Sequence, residues 1–151
     1  MQNRRGSLTV ILSFLAAAAL VAAYYGLFYD ARFGHNAFAS LLRRSGFRVA
    51  EIGLMERHEV LAGERRYILL EGGELFNTYQ YGSNAETEKE SRYIDRGGCS
   101  FTSPDSAMKV TWVSEPHFFK KGRIIVCYVG TNEKILRLLN KAFGPEFAGA
   151  G

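Results

Sequence analysis

An uncharged apolar run near the N-terminus constrains this chain more than any other feature of its sequence. Residues 8–29 read LTVILSFLAAAALVAAYYGLFY, a run of 22 residues without Asp, Glu, Lys or Arg. A helix of that length reaches about 33 Å, which covers a hydrocarbon core of about 30 Å. The sequence therefore predicts a transmembrane helix over residues 8–29, preceded by an N-terminal tail of residues 1–7.

The flanks of the run indicate which way the chain crosses the membrane. Arg4 and Arg5 favour a cytoplasmic N-terminus, which places the remaining domain outside the cytoplasm. Arg43 and Arg44 follow the other end and act against that orientation. The side chains predicted to lie at the membrane interface are Arg4, Arg5, Tyr24, Tyr25 and Tyr29.

A cleaved signal peptide is the alternative interpretation, because Val21, Ala22 and Ala23 offer small residues for cleavage. The apolar run continues past Ala23 and is longer than the core of a typical signal peptide. It therefore favours an uncleaved signal-anchor in the cell membrane, with the lipid bilayer as its partner. Residues 30–46 then form a connector, in which residues 36–46 (NAFASLLRRSG) predict a short helix.

The charge of the remaining chain argues against a nucleic-acid-binding protein. The formal net charge is +4, and residues 30–151 carry 17 Lys and Arg against 15 Asp and Glu. Nucleic-acid binding needs a clustered basic surface, which this balance does not indicate. The two cysteines and three histidines lack metal-ligand spacing, so neither a metal nor a cofactor is predicted. We expect Cys99 and Cys127 to stay unpaired, with a disulfide as the alternative.

Residues 47–151 contain two stretches that resemble each other. Gly82-Ser83-Asn84 matches Gly130-Thr131-Asn132 at an offset of 48 residues, and each hydroxyl residue is the expected cap of a helix. Strands are predicted at residues 66–71 and 75–81 before the first helix, and at 108–114 and 123–129 before the second. Residues 48–55 and 59–61 predict one or two further strands. Together they indicate a two-layer α+β domain, a mostly antiparallel sheet with a duplicated ββα unit and helices on one face.

Two strings in the C-terminal third are distinctive. Residues 112–130 read WVSEPHFFKKGRIIVCYVG, and residues 144–149 read GPEFAG. They resemble a group of small uncharacterised bacterial proteins that carry an N-terminal membrane or lipid anchor. The resemblance implies a bacterial, envelope-associated domain and brings no activity or catalytic residue with it. That group tends to have an aliphatic residue where this chain has Cys127, which favours a core role for the thiol.

The segment PHFFKKG, residues 116–122, is the candidate recognition loop. Two aromatic rings beside basic side chains can hold an anion, a lipid headgroup or a polar protein partner by charge and stacking. The alternative is a hairpin turn whose lysines are solvated and whose aromatic rings tuck under the sheet. The residues assigned to this loop are His117, Phe118, Phe119, Lys120, Lys121 and Arg123.

No catalytic motif is visible, so we expect an extracytoplasmic binding or accessory module, with an envelope protein as partner, and not an enzyme. The first alternative is an envelope hydrolase in which His117 is a general base beside a carboxylate. Asp95, Asp105 and Glu115 are the carboxylates considered for that role, and one must lie within about 3.5 Å of the ring. The second alternative is a structural subunit that docks through a sheet edge.

Overall fold

A computed structural model describes residues 15–24 and 30–149 of the chain. Residues 15–24 are helical (α1), and their side chains are exposed. The elements that follow alternate between hairpins and helices in the order of the chain. They are α2 (His35–Arg44), β1 (Val49–Leu54), β2 (Glu64–Leu70), β3 (Leu75–Gln80), α3 (Asn84–Ser91), β4 (Ser100–Thr102), β5 (Ala107–Lys109), β6 (Pro116–Lys121), β7 (Ile124–Val129), α4 (Glu133–Phe143) and β8 (Ala148–Gly149).

Most of the predicted transmembrane helix, residues 8–14 and 25–29, lies outside the described residues. Within the described part, no helix combines the length and the apolar character that crossing a membrane requires.

Six strands form one antiparallel sheet in the order β1-β2-β3-β7-β6-β8. The α+β class and the antiparallel sheet are therefore confirmed. Hairpin β2–β3 precedes α3 and hairpin β6–β7 precedes α4, so the predicted ββα order is also present. The centre of the sheet is β3 and β7, where Phe76 lies opposite Tyr128 and Thr78 opposite Val126.

The sheet is covered on both faces, and each face has its own core. On the α2/α4 face, Phe38 and Leu42 of α2 pack with Ile135 of α4 over the sheet. On the opposite face, which we call the α3 face, Phe118 and Cys127 of the sheet pack with other buried side chains. The prediction of two layers with all helices on one face is therefore wrong, because α3 packs on the side opposite to α4.

The reason lies in the buried side of α3, which is polar. Thr87, Glu90 and Ser91 are its buried residues, whereas the apolar residue Ala85 is exposed. A helix with so little apolar periodicity does not reveal from its sequence which surface it covers. Its start was predictable, because Ser83 caps it and accepts a hydrogen bond from Glu86 N at 3.2 Å.

The second unit differs from its prediction at both ends. Residues 108–114 do not form a strand of the main sheet, since β5 ends at Lys109 and pairs only with β4 in a separate hairpin. The partner of β7 is instead β6, the segment predicted as a loop. Asn132 rather than Thr131 caps α4, and its side chain accepts from Lys134 N at 3.1 Å. Residues 59–61 are also not a strand.

The predicted connector is part of the folded domain. Phe33, Phe38 and Leu42 are buried in the core of the α2/α4 face. Arg123 N donates to Phe33 O at 2.8 Å, which ties this segment to the β6–β7 turn. Gly122 in that turn has φ +56°, and a Cβ there would overlap the carbonyl oxygen of Asp30. The turn therefore requires glycine both for its backbone conformation and for this close approach.

Candidate functional site

The predicted recognition loop is strand β6, and its aromatic residues are not available to a partner. Phe118 and Phe119 are fully buried, on the α3 face and the α2/α4 face respectively. Four consecutive buried residues, Pro116 to Phe119, supply side chains to both cores at once. The prediction of an exposed aromatic loop is therefore wrong, because a strand between two covering layers buries both of its faces.

The two lysines of β6 are held by side chains of the domain. Lys120 Nζ lies 2.6 Å from Glu88 Oε2 and 3.0 Å from Ser91 Oγ, which joins β6 to α3. On the opposite face, Lys121 Nζ lies 3.2 Å from Asp30 Oδ1 and donates to Ala142 O at 3.0 Å. Both side chains are only about a quarter exposed, at 28% and 27%. Their first role is to fix the elements on either side of β6.

Arg123 is half-buried just after the turn, and its Nε has no hydrogen-bond partner within the described part.

Of the predicted membrane-interface residues, Arg4, Arg5, Tyr25 and Tyr29 lie outside the described residues. Tyr24 belongs to α1 and its side chain is 66% exposed. Both cysteines are free, with Cys99 exposed and Cys127 buried in the core of the α3 face. Burial raises the pKa of the Cys127 thiol, so that group stays protonated.

His117 does have a carboxylate beside it, but not one that was considered from the sequence. Its Nδ1 lies 2.6 Å from Glu146 Oε2, while Glu115 Oε2 is 4.0 Å from Nε2. The pairing with Glu146 arises because β8 adds to β6 with Gly149 opposite His117. No sequence pattern links residues 117 and 146, since the contact depends on the chain returning to the edge of the sheet.

The environment of His117 is dry and aromatic. The residue is 6% exposed, and its ring stacks on Tyr128 with centroids 6.2 Å apart and an interplanar angle of 21°. Tyr128 donates its hydroxyl to Glu74 at 2.8 Å, and burial with that bond raises its pKa to about 12. The Nε2 atom of His117 is buried without a hydrogen-bond partner among the described residues. This nitrogen is therefore unpaired, and the protein encloses it.

A different feature, the outer edge of β1, has the geometry of a protein-binding surface. Within the part of the chain that the structure describes, β1 pairs only with β2, so its other edge is open. Met55 N donates to Arg65 O at 3.0 Å, which turns every second residue of the strand towards β2. The main-chain groups of Ile52 and Leu54 therefore point away from the sheet.

The side chains on this edge are apolar and exposed. Ile52 is 38% exposed and Leu54 is 71% exposed. Exposed edge strands are normally protected by charge, proline or bulges. Here a bulge between Val49 and Glu51 and the charge of Glu51 protect only the first half. The second half of β1 is left as an unprotected, apolar strand edge.

No protein-family model matches the chain, and neither a curated protein nor a solved structure matches it.

Proposed function

We propose that this chain is a membrane-anchored binding module whose folded domain captures an extended segment of a partner protein along β1. The observation that supports it is the open edge at Ile52 and Leu54, where the same two residues carry outward main-chain groups and exposed apolar side chains. Strand addition supplies affinity through main-chain hydrogen bonds and specificity through alternate side chains. The expected ligand is an extended polypeptide with apolar residues at every second position.

The membrane part of this proposal rests on the sequence. Residues 8–29 carry no charge, and Arg4 and Arg5 precede them. We propose a single-pass anchor in the cell membrane with a cytoplasmic N-terminus, a bacterial envelope location, and the domain held on the outer side. A reporter fused to the C-terminus, active only outside the cytoplasm, tests this orientation. Activity of a cytoplasm-specific reporter at the same position would contradict it.

The edge can be tested by crosslinking in intact membranes. A photoreactive amino acid is introduced at Leu54, and in a control chain at Val113, which is fully exposed away from the sheet. The partner is then identified by mass spectrometry from adducts seen at Leu54 only. Equal adducts at both positions would indicate random collisions and would contradict the proposal.

A proline substitution then separates main-chain pairing from side-chain contact. Leu54→Pro removes an amide that points outward, so the β1–β2 ladder keeps its hydrogen bonds. Binding of the identified segment should fall at least about tenfold, because one to two strand-pairing bonds are lost. Leu54→Thr keeps the amide and should retain most of the binding. Unchanged binding by the proline variant would rule out strand addition.

A second candidate function, general acid–base catalysis by His117, is favoured by the 2.6 Å contact with Glu146. A carboxylate that holds one ring nitrogen leaves the other nitrogen to accept a proton, as in hydrolases. The test is hydrolysis of p-nitrophenyl esters by the purified full chain, with His117→Asn and Glu146→Gln as variants. Turnover that both variants retain, or no turnover by the native chain, would eliminate this candidate.

A further inference from the structure

A cavity of about 400 Å³ lies where β3 runs into α3. Its walls come from the end of β3, the first turns of α3 and the chain just before β2. The lining residues are Ala62, Gly63, Gln80, Tyr81, Gly82, Glu86, Lys89 and Glu90. One water molecule occupies about 30 Å³ in the liquid, so the cavity has room for about a dozen groups of the size of a water molecule. That is the size of one sugar ring with its hydroxyls.

Tyr81 is one of the lining residues and carries a hydrogen-bond donor that no described residue uses. The residue is 6% exposed, yet its hydroxyl has no partner within the described part of the chain. Its ring lies directly against Gly63, where an added Cβ would come within 2.9 Å of Cζ, the carbon that bears the hydroxyl. Buried polar atoms are nearly always paired, so an unpaired hydroxyl beside a cavity points to a missing partner.

Two carboxylates supply unused acceptors to the same wall. Glu90 is 8% exposed, and its Oε2 accepts from Ala62 N at 2.8 Å. Glu86 Oε2 accepts from Gly82 N at 3.0 Å. In each case the second oxygen has no partner among the described residues. Burial and the charge of Glu90 raise the pKa of the Tyr81 hydroxyl, so it stays protonated and acts as a donor.

We propose that this cavity binds a neutral, polyhydroxylated ligand, a monosaccharide unit. A hydroxyl group both donates and accepts, so it can accept a hydrogen bond from the Tyr81 hydroxyl and donate one to Glu90 or Glu86. An anion would be repelled by the two carboxylates, whose charge exceeds that of Lys89 alone. An ammonium group could bind the carboxylates but could not accept from Tyr81. No residue of β1 lines this cavity, and sugar binding there does not depend on strand capture.

The binding test uses the full chain in a detergent that carries no sugar headgroup. D-Glucose and N-acetyl-D-glucosamine are titrated by saturation-transfer NMR, with glucose 6-phosphate as the anionic comparison. At least one neutral sugar should bind with a Kd on the order of 1 mM, typical for a ligand of that size. Glucose 6-phosphate should bind more weakly than glucose. If neither neutral sugar binds saturably up to tens of millimolar, the proposal is overturned.

The variant Tyr81→Phe tests the donor. It should weaken sugar binding about three- to tenfold, the effect of losing one hydrogen bond. Its urea midpoint should match or exceed that of the native chain, since the lost hydroxyl has no protein partner. Tyr67→Phe, at a hydroxyl that bonds to Glu51 and does not line the cavity, is the matched control and should bind normally. Unchanged binding by Tyr81→Phe would overturn the assignment.

Glu86→Gln is a second variant at an exposed position, chosen because it should leave the fold intact. Removing its charge should improve binding of glucose 6-phosphate relative to glucose by about threefold or more. An unchanged ratio of the two affinities would contradict the role of this carboxylate. Because these readouts measure sugar binding and not capture of a strand by β1, failure here leaves the strand-capture proposal untouched, and the reverse also holds.

Discussion

The buried His35 should make the stability of the domain depend on pH. Its ring is 3% exposed at the start of α2, with Nδ1 2.9 Å from Thr78 Oγ1 and Nε2 3.2 Å from Glu64 O. Burial, and after it the charge of Arg66, lowers the pKa of His35 to about 4 in the folded chain. In the unfolded chain the same group has its ordinary value, about 6.5. The two states therefore bind protons differently over a window of pH that is open to experiment.

The sign follows from which state takes up the proton. Between about pH 6.5 and pH 4 the unfolded chain is protonated at His35 and the folded chain is not, so acid favours unfolding. Stability is thus fully present above about pH 6.5 and is lost as the pH falls towards 4. From about pH 7.5 to pH 5.5, His35 alone should lower the free energy of unfolding by about 1.3 kcal/mol. Burial and the charge of Arg65 also lower the pKa of His58 to about 4. His58 therefore acts in the same direction.

Urea unfolding of the full chain in detergent, followed by fluorescence, measures this dependence. Trp112 is the single tryptophan, and its Nε1 donates to Gly98 O at 2.8 Å, so its emission should change on unfolding. The native chain and His35→Gln are compared at about pH 7.5 and pH 5.5, where most carboxylates stay ionised. His35→Gln should be less stable at both, but its loss between them should be smaller by about 1.3 kcal/mol. An equal loss in the two proteins would refute the inference that His35 is neutral when folded.

Two further predictions concern the core and the thiols. Phe118→Ala should lower the free energy of unfolding by about 3–5 kcal/mol in the same urea assay, because the ring is fully buried. Val113→Ala, at a fully exposed side chain, should change it by less than about 0.5 kcal/mol, and comparable losses would show that β6 is not buried. With a maleimide reagent, Cys99 should be labelled in the folded chain and Cys127 only in urea. Labelling of Cys127 without denaturant would contradict its place in the core.

The elements with clear periodicity could be predicted from the sequence. Residues 66–71, 75–81 and 123–129 were predicted as strands, and the structure has β2, β3 and β7 there within two residues. The helix α4 was also predictable, because Ile135 and Leu139 lie on one side of it at helical spacing and are both buried. In these elements the buried side is apolar and the exposed side polar, so hydrophobic periodicity carries the information.

What could not be predicted depends on contacts between distant polar residues. The string HFFKK looks like an aromatic tip with solvated lysines, yet Lys120 reaches Glu88 across 32 residues of sequence. A charged side chain can be partly buried when it pairs with a group of opposite charge. The local sequence does not indicate which residue that partner is. The sequence did contain one indication of the buried strand, the consecutive pair Phe118 and Phe119. Neighbouring residues of a strand point to opposite faces, so two consecutive apolar residues fit a strand that is covered on both faces.

The two edges of the sheet differ, and this difference supports β1 as the proposed binding edge. At the β6 edge, β8 pairs with His117 and Phe118, and Phe147 N donates to Phe118 O at 2.9 Å. At the β1 edge no described strand is added, although Leu54 is more exposed than the hydrophobic side chains of β6. A chain that uses its own C-terminal residues to close one edge has a local means of suppressing unwanted strand pairing. The open, apolar edge of β1 therefore supports our proposal that β1 receives a strand from another protein.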